Sequence, residues 1–129
     1  MSRKRIEQII KGYADRVGYN FGTEVIPYSL GGGTKYPYIL WIAPNSTTNG
    51  KKRITKYPST ICLVADADKR DATEVLDELQ EHAQNIFDEL QKDRVFTDGS
   101  FPCNPKTALD NSGAHGIDVV INIYYDGGC

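Results

Sequence analysis

The stretch from Tyr36 to Ala43 constrains this chain more than any other. It reads Tyr-Pro-Tyr-Ile-Leu-Trp-Ile-Ala, with an aromatic or apolar residue at every position. β-Branched and aromatic residues around a proline favour an extended strand over a helix. Alternate side chains of a strand point to opposite faces, so Tyr36, Tyr38, Leu40 and Ile42 share one face and Pro37, Ile39, Trp41 and Ala43 the other. A strand apolar on both faces has to be covered on both.

Asn49-Gly50, a short way downstream, is a strong two-residue hairpin signal. A turn there sets Tyr38 opposite Ile61 and Ile39 opposite Thr60, bringing the apolar run Thr60–Ala65 against the first strand. The distal part of this hairpin, about residues 44–56, is polar apart from Ile54 and reads as an arm projecting from the domain. Lys51, Lys52 and Arg53 at its tip are the candidate assembly residues. Upstream, Gly31-Gly32-Gly33-Thr34-Lys35 lacks the Gly-Lys-Ser/Thr order of a phosphate loop and runs into a strand. Those glycines read as a joint after an earlier strand over Thr23–Leu30.

Two helices complete the pattern. Ile6, Ile9, Ile10, Tyr13 and Val17 lie on one helical face, with Ser2 placed to cap and Gly18 placed to end the helix in a left-handed conformation. Arg3, Lys4 and Arg5 at its start oppose the helix dipole, so something beyond local helix stability keeps them there. Asp71-Ala72-Thr73-Glu74 is a capping-box arrangement opening an acidic helix over Thr73–Lys92. Its apolar stripe is Leu76, Leu79, Ala83, Ile86, Phe87 and Leu90. Residues 96–116 read as a long loop with a short strand near Thr107–Leu109. Ile117–Tyr125 then alternates as a last strand, with Ile117, Val119, Ile121 and Ile123 inward. The expected fold is α+β in the order α-β-β-β-α-β. It is a mainly antiparallel sheet with two helices packed on it, in a single domain over residues 1–129.

At 129 residues, 40% hydrophobic and 25% charged, the composition suits one globular core. No apolar run reaches the roughly 20 residues of a membrane span. The N-terminal apolar residues follow helical spacing and not the continuous block of a secretory leader. Residues 1–58 hold ten Lys/Arg against three Asp/Glu, whereas residues 59–129 hold five against fourteen. Such polarity suits head-to-tail contact between copies, and equally permits contact with nucleic acid.

Signals for chemistry are sparse. Asp66–Asp71 resembles a calcium loop but places Arg70, Asp71 and Asp77 where an oxygen ligand, glycine and glutamate belong. His82 and His115 stand on separate elements without the three or four ligands a metal needs. Cys62, Cys103 and Cys129 lack metal or redox spacing and read as reduced thiols. No catalytic residue, metal ligand or cofactor site is expected. A second reading uses Tyr36, Tyr38, Trp41, Tyr57, Tyr124 and Tyr125 as a stacking sheet beside Lys51-Lys52-Arg53, to bind single-stranded nucleic acid.

The opening helix Arg3–Val17, the "KYPYILWI" strand, the polar "PNSTTNGKKRITKYP" arm, the acidic helix and the closing "GIDVVINIYY" together resemble the tail terminator, tail completion and head–tail joining proteins of tailed bacteriophages. That resemblance is architectural and covers nearly the whole chain. It implies a structural virion protein made in the host cytoplasm and built into a homo-oligomeric ring, a hexamer or dodecamer. It also implies portal, neck or tail neighbours and DNA that at most passes through. No enzyme activity, cofactor or membrane is implied. The long 96–116 segment and the Gly127-Gly128-Cys129 tail depart from the family pattern.

Overall fold

The structure, a computed structural model, describes residues 2–23, 37–66, 71–92, 94–109 and 114–127. Helix α1 (Ser2–Val17) leads into β1 (Asn20–Gly22), β2 (Tyr38–Ile42), β3 (Thr47–Asn49) and β4 (Ile54–Ala65). Helix α2 (Ala72–Glu89) follows, then β5 (Val95–Thr97), β6 (Cys103–Leu109) and β7 (Ala114–Asp126). The fold is the expected α+β class. Its sheet runs β1-β2-β4-β7-β5, with β3 also on β4 and β6 also on β7.

The two long strands β4 and β7 form the spine, antiparallel from Ile54↔Asp126 to Ala65↔His115. Residues paired across an antiparallel ladder share a face, so strand alternation sorts the core directly. One face presents Ile39, Trp41, Tyr57, Ile61, Leu63, Ile117, Val119, Ile121 and Ile123, all buried. Both helices cover it. α1 contributes Ile6, Ile10, Tyr13 and Ala14, and α2 contributes Val75, Leu79, Ala83 and Ile86, with Leu90 at its C-cap. On the opposite face Tyr38, Val64 and Ala114 form a smaller buried cluster with Leu40 against it. On that second face of β2 Tyr38 is buried, while Leu40 and Ile42 are half-buried.

Local chemistry sets the helix ends. Gly18 takes φ 79°, the left-handed region that a side chain disfavours. Asp71 accepts a hydrogen bond at 2.8 Å from the Glu74 backbone N–H, as the capping pattern predicts. Arg3 is explained by packing: its guanidinium sits over the Trp41 and Tyr57 rings and donates to the Ala43 carbonyl at 2.7 Å. The indole N–H of Trp41 in turn reaches the buried Ser59 hydroxyl at 3.0 Å.

Four expectations need correction. First, Tyr38 pairs with Val64 and Ile39 with Leu63, three positions from the expected register. The turn is a four-residue loop over residues 50–53, and not a two-residue Asn-Gly turn. The Asn49 carbonyl accepts from the Arg53 N–H at 2.7 Å, and its side chain accepts from the N–H groups of Lys51 and Lys52, both at 3.1 Å. The irregular segment 43–46, with Pro44, then separates β2 from β3. Second, the 96–116 stretch, expected as a loop, holds Phe96 and Thr97 of β5, all of β6 and the start of β7. Pro105 is tolerated because β6 lies on an edge, where a missing N–H costs no ladder bond. Third, β1 has no counterpart in the sequence pattern, and its parallel pairing with β2 makes the sheet mixed. The strand expected over residues 23–30 and the glycines 31–33 lie outside the described residues, save Thr23, which is not in a strand. Fourth, Val75 belongs to the buried stripe of α2, while Leu76 and Phe87 lie half-buried beside it.

Leu79 is fully buried and Glu81 is exposed on the same helix. Leu79→Ala is expected to destabilise the fold by about 2–5 kcal/mol. Glu81→Ala should stay within about 0.5 kcal/mol. Urea denaturation of both variants checks the assignment of helix faces, and equal losses would contradict it.

Candidate assembly surfaces

The three cations Lys51, Lys52 and Arg53 are exposed together on the loop over residues 50–53. Arg53 holds φ 57°, the one non-glycine residue in the left-handed region among the described residues. That conformation costs a side-chain-bearing residue roughly 1 kcal/mol. The tip is tied to the end of β7: Gly127 N–H donates to the Arg53 carbonyl at 2.8 Å. The return strand of the arm is held on both sides, since Thr55 and Lys56 pair with Thr48 and Thr47 on β3 and with Tyr125 and Tyr124 on β7. The arm is therefore a rigid extension of the spine, with its turn standing beyond the last strand pair.

Next to this end the helix-free sheet face opens. Lys56, Tyr124 and Phe96 are directly paired across β4, β7 and β5 and so share that face. Phe96 and Tyr124 stack with centroids 4.9 Å apart and planes at 7°. Phe96 is 38% and Val120 47% exposed, the large apolar side chains that remain in solvent among the described residues. Asp98 fixes this edge by accepting from Asn122 Nδ2 at 2.8 Å and from the Tyr124 hydroxyl at 3.0 Å. Burial and then the Asp98 carboxylate push the Tyr124 phenol above its ordinary pKa.

Among the described residues, the aromatic side chains of the nucleic-acid reading do not form an exposed platform. Tyr38, Trp41 and Tyr57 are buried, Tyr124 and Tyr125 are half-buried, and Tyr36 lies outside the described residues. The Phe96–Tyr124 stack carries Asp98 beside it, an unfavourable neighbour for a phosphate chain.

The remaining sequence candidates disperse. Asp66 is exposed at the end of β4, and residues 67–70 lie outside the described residues. Cys62 is buried, and burial raises the Cys103 thiol above its ordinary pKa. Cys129 lies outside the described residues. Among the described residues no group of three or more His, Cys, Asp or Glu converges. His115 is half-buried on β7 and His82 half-buried on α2.

His82 instead joins the two helices, a role that sequence spacing did not reveal. The Tyr13 hydroxyl accepts from Asn85 Nδ2 at 3.1 Å, and lies 2.6 Å from His82 Nδ1. In the tautomer that carries its proton on Nε2, the phenol donates to Nδ1 while its oxygen accepts from Asn85. Tyr19 packs edge-on against the same ring at 4.8 Å. Burial lowers the His82 pKa, and Glu78 and Glu81 oppose the shift only partly. Arg16 pairs with Glu89 along the same seam and lies over the Tyr13 ring.

These features define an α+β domain whose sheet carries two helices on one face and a rigid basic hairpin at one end. In fold it is similar to a chain of the solved virion of a native gene transfer agent particle. The TM-score is 0.52 at 18% identity, over 95% of this chain and 92% of that chain. No family model matches the sequence, and no curated protein matches it. Among the described residues, no helix is long and apolar enough to cross a membrane.

The His82 seam gives a pH dependence of defined sign. Its folded pKa lies below the ordinary value of about 6.5, so the unfolded chain takes up the proton first. The contribution of His82 to stability is complete above pH of about 6.5 and is lost as pH falls toward the folded pKa. Protonation also turns Nδ1 into a second donor aimed at the Tyr13 oxygen. Denaturation midpoints measured down a pH series should fall more for the parent protein than for His82→Gln, which keeps an acceptor without titrating. Parallel pH curves for the two proteins would contradict this role.

Proposed function

We propose that this chain is a structural protein of a tailed phage or phage-like virion, forming a homo-oligomeric ring that joins or terminates the tail. The observation that carries the reading is the fold likeness to a gene transfer agent virion chain, which spans nearly all of both chains. The architectural resemblance to tail terminator, completion and head–tail joining proteins points the same way. In this reading the work is assembly. Neighbouring subunits close the ring, and the Lys51-Lys52-Arg53 turn meets the adjacent portal, neck or tail layer.

Arg53 supports that role for the turn. Glycine would occupy its left-handed position without strain, yet the position holds an exposed cation. Backbone strain of this kind collects where a side chain is needed for function.

Two measurements test the proposal together. In particles purified from producing cells, antibody to this chain should label one position, at the end of the tail or its junction with the head. Labelling spread over the head, or particles lacking the chain, would overturn the assignment. Arg53→Gly should leave the isolated chain equally stable or more stable, by up to about 1 kcal/mol. It should also weaken incorporation into particles in a salt-sensitive way. Normal incorporation of Arg53→Gly together with charge reversal at Lys51 and Lys52 would make the turn a passive loop.

A further inference from the structure

This inference rests on the ring reading and names the two surfaces that close the ring. α1 packs over β1 and β2, while α2 packs over β4, β6 and β7. With β1 at one edge of the sheet and β6 at the other, the helices lie side by side, each toward an opposite edge. Their mutual seam uses Tyr13 and Arg16 on α1 and His82, Asn85 and Glu89 on α2.

The outer side of α2 carries Asp77, Gln80 and Gln84, with Glu81 between them and the seam. They wall an open groove of about 680 Å³ whose other side is the segment 99–103 leading into β6, with Phe101 and Cys103 supplying apolar surface. Asp77 and Glu81 are exposed and form no ion pair among the described residues.

Lys4 and Arg5 pose the reciprocal problem on α1. Both are exposed, and neither forms an ion pair among the described residues. Their place in the first turn sets them against the dipole of their own helix. Arg3 is accounted for by Ala43, Trp41 and Tyr57. Arg5 borders the depression between the helices with Arg16, Glu89 and Lys92 but makes no ion pair there, and Lys4 makes none either, among the described residues. Unpaired cations at the start of α1 and unpaired acids on the groove side of α2 are the charge complement that head-to-tail association requires.

We propose that Lys4 and Arg5 of one copy dock at the groove walled by Asp77 and Glu81 of the next copy. The test uses two reversal variants of the full chain, Lys4→Glu/Arg5→Glu and Asp77→Lys/Glu81→Lys. Glutamates in the first turn of α1 are favourable to its dipole, and the α2 positions are exposed, so both variants should melt as the parent does. Sedimentation across a concentration series, at low and at high salt, should show the parent self-associating more tightly at low salt. Each variant alone should lose roughly tenfold or more in association. Mixing the two should restore assembly, because every contact then joins opposite charges.

If the parent assembles and the reversed variants assemble equally well, this pairing is wrong while the ring reading stands. Variants that stay apart when mixed would show that the two surfaces do not meet each other. A parent that remains monomeric throughout would overturn the ring reading, and this inference with it.

Discussion

Everything in this molecule is referenced to the β4–β7 ladder. Twelve consecutive pairs, from Ile54↔Asp126 to Ala65↔His115, lock two long strands in one register. A slip of one residue would turn Ile61 and Leu63 on β4, or Ile117, Val119, Ile121 and Ile123 on β7, to the wrong face. Because the ladder holds that buried set beneath both helices, it also decides what the other face presents. Lys56, Tyr124 and Val120 are left on the helix-free side. The same ladder continues into the hairpin turn through the Gly127–Arg53 bond. The basic tip is therefore carried by the most extensively paired part of the protein, and its position is fixed relative to the helices.

Much of this was legible in the sequence because side-chain periodicity reports burial directly. The alternation from Ile117 to Ile123, the spacing from Ile6 to Val17 and the cap from Asp71 to Glu74 each have a local cause. The register of the first hairpin was not legible, because it depends on how many residues the turn takes up. Asn49 closes a four-residue loop with its side chain, a choice that Asn-Gly does not dictate. Strand β6 was hidden by Pro102 and Pro105, whose effect depends on whether the strand lies at an edge. Within the candidate surfaces, the exposed cations of the turn could be read from the polar run around them. The bond between Tyr13 and His82 could not, since it joins residues far apart in the chain.

In the proposed reading, the arrangement separates the tasks of a subunit that works by contact. The helix-covered face supplies stability, with Arg3 and Trp41 tying α1 to the sheet. The turn, the open sheet face and the helix flanks remain available, and they differ in charge. The groove beside α2 is acidic, whereas the hairpin turn and the start of α1 are basic. In the proposed ring these differences give each contact a direction, so that a subunit meets its neighbour by one side and the adjoining layer by its end.

Native mass spectrometry of the purified full chain tests the central claim most directly. The account predicts one discrete higher multiple of the single-chain mass, favoured at low ionic strength and dissociating as salt is raised. A single-chain mass at every protein concentration and salt level would contradict it.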